Sequence, residues 1–167
     1  MRRLVLVLLL VVSVAALGCG GSPAEEEEAY VQAAAEVFNP YMESWAVVFD
    51  LTAQSNVLPE DFENVKAVLA DIVGKSEVPT SLSPPKSMED AHAAFLQMFD
   101  GYGRAAEQLL LGFETSDPAF VSQGEDSLMA ANEDLHRWVE LMEPWEALMD
   151  RWIKTPERSF PEPSTIS

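Results

Sequence analysis

The chain is predicted to be all-α, an antiparallel four-helix bundle. Three observations carry that expectation. Apolar residues recur in steps of three and four over most of the length. Helix-start signals precede three of those runs. No run of strict alternation flanked by turn dipeptides calls for a strand.

The first helix is expected from about Glu26 to Ser55, with Tyr30, Ala34, Val37, Tyr41, Val48 and Thr52 along one face. Pro40 falls inside it and predicts a kink, because its ring removes one backbone donor. The second helix opens at Pro59, a good first helical residue, and sets Phe62, Val65, Leu69 and Ile72 on a core face. It ends near Gly74-Lys75. Residues 76–87 hold Pro79, Pro84 and Pro85 and read as a loop. The third helix begins between Pro84 and Ser87, where Ser87 and Asp90 have the spacing of a capping box. Its seam is Met88, His92, Phe95, Phe99, Tyr102, Ala106, Leu109 and Phe113. Gly101 and Gly103 in its middle read as small residues that permit close helix packing. Asp117-Pro118 then signals an N-cap and first turn. The fourth helix carries Val121, Gly124, Leu128, Ala131, Leu135, Trp138, Met142, Trp145, Met149 and Trp152, kinked or split at Pro144. Residues 155–167, with three prolines, read as an irregular tail.

Charge narrows the partners. Ten Lys and Arg stand against 28 Asp and Glu in 167 residues. Setting aside residues 1–18, which hold Arg2 and Arg3, leaves a formal charge of −20. Such a surface repels phosphate backbones and anionic head groups, so nucleic acid is not expected as a partner. Its acidity reads as a solvated surface rather than a calcium site. The single cysteine, Cys19, rules out an internal disulfide framework.

Residues 1–19 have the order of a secretory leader. Met1-Arg2-Arg3 is basic, Leu4 to Val12 is continuously apolar, and Ser13 to Gly18 turns to small residues. The apolar run is too short for an ordinary spanning helix. Ala15-Ala16-Leu17-Gly18-Cys19 resembles the lipobox of bacterial lipoproteins. That resemblance implies cleavage before Cys19 and acylation of its sulfur. Gly18 meets the requirement for a small residue before the cysteine. Ala16 stands where Leu is usual, and Leu17 where a small residue is more common. Gly20 follows the cysteine where an inner-membrane retention signal would place Asp, so the resemblance implies the outer membrane in a cell with two. The expected organisation is a signal peptide at 1–18 and a lipidated cysteine with a flexible acidic tether at 19–28. A helical bundle follows at 29–154, then the tail. The pattern over Pro85 to Met142 (a proline, a histidine seven residues on, a long amphipathic helix, Asp-Pro and a second such helix) also resembles small uncharacterised bacterial lipoproteins. It implies a helical hairpin and no particular activity.

Three constellations compete for chemistry. Glu89-x-x-His92 and Glu133-x-x-His136 have the spacing of ferritin-like di-iron ligands. At about 100° per residue, however, Glu89 falls roughly 120° and Glu133 roughly 160° from their seams, pointing away from a shared core. Met88 and His92 share a face, with Met98 nearby, and could ligate a soft metal or haem. A structural histidine among gap-filling methionines explains them more simply. Trp138, Trp145 and Trp152 recur every seven residues, interleaved with Met142 and Met149. They read as core, as an anchor for a partner helix, or as the lining of a hydrophobic-ligand groove. No Gly-x-Ser-x-Gly elbow or phosphate-binding glycine loop occurs.

The functional expectation is therefore a lipid-anchored envelope module, structural or binding, with no catalytic residue and no cofactor. Its partners are the membrane, through the anchor, and a protein of the envelope. The alternative is a lipoprotein that binds a hydrophobic ligand or a metal through the Trp/Met stripe or Met88 and His92.

Overall fold

A computed structural model describes residues 22–53 and 59–154, which are all-α. Five helices follow one another: α1 (Pro23–Thr52), α2 (Pro59–Lys75), α3 (Glu89–Thr115), α4 (Pro118–Leu141) and α5 (Glu146–Trp152). Short 3-10 turns at Val78–Ser81, Lys86–Met88 and Glu143–Trp145 connect them. No strand occurs among the described residues. Residues 1–18, Cys19 and the tail from Thr155 lie outside the described residues.

α1 starts earlier than expected. The Ser22 hydroxyl accepts from the Glu25 amide, and the Glu25 carboxylate accepts from the Ser22 amide at 2.7 Å, closing a capping box. With Pro23 in the first turn, this cap outweighs the flexibility expected of the acidic stretch. Residues 23–28 thus belong to α1 and not to a tether. The helix continues through Pro40, which sits on the exposed side. There the carbonyl left without its usual partner can be solvated.

The fourth helix is split at Pro144, one of the two outcomes expected there: α4 ends at Leu141, a 3-10 turn containing Pro144 follows, and α5 resumes at Glu146. One further boundary is a correction. Ser87 does not cap α3 in a box with Asp90. Its hydroxyl donates instead to the Glu27 carboxylate at 2.6 Å, and Met88 stands at the cap position. Asp117 does cap α4 as expected, accepting from the Ala119 amide at 2.9 Å.

Side-chain pairs give the helix directions. Tyr30 meets His92, Phe38 meets Phe95, Tyr41 meets Phe99 and Trp45 meets Tyr102, so α1 and α3 run parallel. Gln108 meets Ser127, Tyr102 meets Asn132 and Phe95 meets Trp138, so α3 and α4 run antiparallel. Phe62 meets Phe113 while Ser76 lies against Gly103, so α2 and α3 are antiparallel too.

The core is aromatic along its length. Trp45, Tyr41, Tyr102, Phe95, Phe99 and Trp138 are essentially inaccessible, and Phe38 packs with Phe95 and Trp138. The α3 seam is buried as expected apart from half-buried His92 and Phe113. α1 buries more than the predicted face, because Val31, Phe38, Met42 and Trp45 are also inside. Thr52, at the predicted edge, is exposed and donates its hydroxyl to the Val48 carbonyl at 2.8 Å.

Candidate functional site

One end of the fold gathers most of the residues singled out from sequence. α1 begins there, α3 begins beside it, and α4 ends in the 3-10 turn that leads to α5. Tyr30 on α1 and His92 on α3 are joined by a hydrogen bond of 3.0 Å between the tyrosine hydroxyl and Nδ1. Their rings meet edge to face. Burial pushes the Tyr30 hydroxyl pKa up, which keeps it protonated, and pushes the His92 pKa down, which favours the neutral ring.

The acidic start of α1 makes tertiary contacts. Hydrogen bonds from the Ser87 hydroxyl and the Trp145 indole hold the Glu27 carboxyl below its usual pKa, slightly opposed by burial. Glu28 pairs with Arg151 of α5 at 2.5 Å. One turn beyond Ala35, Asn39 donates to the Trp152 carbonyl and accepts from the Lys154 amide, each at 2.9 Å. Glu28 and Asn39 thereby fasten α5 to α1, and Glu27 holds the 3-10 turn that precedes it.

The soft-metal candidates sit differently from one another. Met88 is fully buried in the core, whereas His92 is half-buried and engages Tyr30 at Nδ1. Among the described residues, no three His, Cys, Asp or Glu side chains converge as a metal would need. The di-iron spacing is not assembled either: Glu89, Glu133 and His136 are all exposed.

The tryptophan stripe is graded along its length. Trp138 is only 1% exposed and packs against Phe38 and Phe95. Trp145 and Trp152 are half-buried and lie against the edge of the same core. Four buried polar atoms in this core lack a hydrogen bond of ordinary geometry: Tyr41 Oη and the Nε1 atoms of Trp45, Trp138 and Trp152. Such groups are a cost the aromatic packing must outweigh. Burial raises the Tyr41 and Tyr102 hydroxyl pKa values. The nearby Trp45 indole partly opposes the rise at Tyr41.

Two open grooves lie elsewhere. One, about 490 Å³, runs between α1 and α2 beside Pro40, Ser44, Val47 and Asp71. The other, about 600 Å³, lies where α2 begins against the α3–α4 corner, beside Phe62, Phe113, Ser116 and Val121. Neither is lined by the tryptophan stripe. Phe62, expected in the core, lies in the first turn of α2, is 45% exposed there and meets Phe113 edge to face. Sequence periodicity marks Phe62 as apolar and on the core side. It carries no signal that α2 begins too near the end of the fold for that residue to be covered.

No helix among the described residues is long and apolar enough to cross a membrane. No protein-family model matches the chain, and no curated protein or solved structure is significantly similar to it.

Proposed function

We propose that the chain is a bacterial envelope lipoprotein, acylated on Cys19, whose helical domain is a binding or structural module held at the membrane surface. The observation that carries the reading is the leader itself: a basic start, an apolar run, small residues and Gly18-Cys19. The position of α1 supports it. Its cap, Ser22, comes three residues after Cys19, so the folded domain starts almost at the anchor. Several acyl chains on one terminal cysteine hold a protein stably, since each buried methylene contributes about 0.8 kcal/mol. The first turns of α1 contain Glu25 to Glu28, and α3 opens with Glu89 and Asp90. Carboxylates at the anchored end oppose close contact with anionic head groups, so the domain stands off the bilayer. In a cell with two membranes the reading places it at the outer one.

The proposal assigns the domain no catalytic step and no cofactor. It is tested by growing cells with a radioactive fatty acid. Wild-type protein is expected to carry label and to fractionate with membranes, and Cys19→Ala to do neither. Equal labelling of the two proteins would sink the proposal.

A further inference from the structure

We propose that residues 155–167 of this chain, which lie outside the described residues, dock along the groove between α1 and α2. The groove starts at Pro40, and the residue before it holds the end of the described chain. Asn39 donates to the Trp152 carbonyl and accepts from the Lys154 amide, each at 2.9 Å. Ile153 has by then left the helix, with extended backbone at φ −87° and ψ 118°. Trp145 reaches Glu27 and Trp152 reaches Asn39, so α5 runs along α1 in the same direction. The chain therefore passes Lys154 heading toward Val47, beside the groove, with 13 residues of sequence still to follow.

Reach and apolar content select this occupant. Val47 lies about 12 Å beyond Asn39 along the helix axis, at 1.5 Å per residue. An extended chain covers about 3 Å per residue, so roughly four to six residues span the gap. Phe160, the one aromatic residue in the segment, is the sixth after Lys154. The groove offers it Val47, which is 44% exposed, beside half-buried Val68 and exposed Ala67. Pro156, Pro161 and Pro163 favour extended backbone, which lowers the entropy lost on docking. Charge is a minor part of the fit. Asp71 and Lys75 pair with each other at 2.5 Å, which leaves Glu43 for Arg158, while Glu157 and Glu162 gain no cation. A second copy or a separate partner must reach the groove from solution, whereas this segment is tethered at its edge. The tether sets an effective concentration in the millimolar range. A segment that binds as a free peptide at about 0.1 mM then fills the groove about nine-tenths of the time. The inference is independent of acylation at Cys19.

The test places a single reactive thiol in the groove. Val47→Cys is made in the full chain carrying Cys19→Ala, in non-ionic detergent, and its alkylation by a maleimide is timed. Deleting residues 155–167 is expected to speed alkylation about tenfold, and Phe160→Asp in the intact chain to give most of that increase. Ala67→Cys, across the groove on α2, repeats the measurement with Val47 in place and should respond likewise. Met129→Cys, at a residue of α4 that is 50% exposed, should change less than about twofold on the same deletion. Equal rates at Val47→Cys and Ala67→Cys with and without residues 155–167 would overturn the proposal. An equal rise at Met129→Cys would do so too, since the segment would then shield the surface without a seat. Protection that fades as the protein is diluted would place the segment on a second copy and would also overturn it.

Discussion

Tyr30 and His92, 62 positions apart in the chain, are joined by a 3.0 Å hydrogen bond that ties the second turn of α1 to the first turn of α3. The pair lies at the end where α1 begins, three turns below the Tyr41–Tyr102 packing. It converts a histidine that sequence spacing nominates as a ligand into a link between two parallel helices.

A pH dependence follows from that placement. Burial lowers the folded-state pKa of His92 below its ordinary 6.5. The neutral ring therefore contributes stability that is fully present above about pH 6.5 and is lost as pH falls through the folded-state value. Chemical denaturation of wild type and His92→Gln between about pH 7.5 and about pH 5.5 measures it. Wild type should lose more stability on acidification than the variant. Parallel curves would show that His92 titrates as it does in the unfolded chain.

Opposite responses are expected from two glycines that look alike in sequence. Gly124 on α4 faces α3, and a methyl group there would come within 2.6 Å of Leu109 Cγ and 3.1 Å of its backbone nitrogen. Leu109 is nearly buried, so it has little room to retreat. Gly124→Ala is expected to destabilise by about 1–2 kcal/mol, overpacking outweighing the gain of about 1 kcal/mol in helix propensity. At Gly74, near the end of α2, the same methyl meets nothing within 4 Å. Gly74→Ala is expected to stabilise by about 0.5–1 kcal/mol. Thermal melts of the two variants, read for the sign of each Tm shift, decide it. A gain in both would mean that α3 and α4 are not in close contact at Gly124.

In α3 and α1 alike, patterning gives the buried face but not its width. α3 packs against α1, α2 and α4, and its predicted seam falls inside apart from half-buried His92 and Phe113, with Ala91, Ala94, Met98 and Ala105 buried beyond it. α1 is covered by different elements along its length, among them α2, α3 and α5. It buries Val31, Phe38, Met42 and Trp45 beside the predicted residues, which widens one continuous face. Trp45 is fully buried and stands four residues after Tyr41 and three before Val48, a core position by helical spacing that the predicted face omits. The groove at the start of α2 was legible only as apolar residues. Phe62 becomes exposed through the relative positions of α2 and α3, which no local spacing encodes. Ser87 is a similar case. Its capping-box spacing is real, but a carboxylate 60 positions away in sequence takes its hydroxyl.

α5 is expected to open independently of the rest. It has seven residues and no fully buried side chain, so little apolar burial holds it. Its ion pair, Glu28 with Arg151, is largely exposed and adds at most a few tenths of a kcal/mol. The Asn39 amide is the stronger fastening, because it satisfies both the Trp152 carbonyl and the Lys154 amide in a half-buried position. Removing both bonds with Asn39→Ala is expected to cost about 1–2 kcal/mol locally. Hydrogen exchange should then show protection over residues 146–154 falling about tenfold or more, while the amides of α3 and α4 keep theirs. Fluorescence should shift to the red as Trp145 and Trp152 reach water, with Trp138 still enclosed by Phe38 and Phe95. A uniform loss of protection across all helices would instead make α5 part of the global folding unit, and Asn39 a core contact rather than a local clasp.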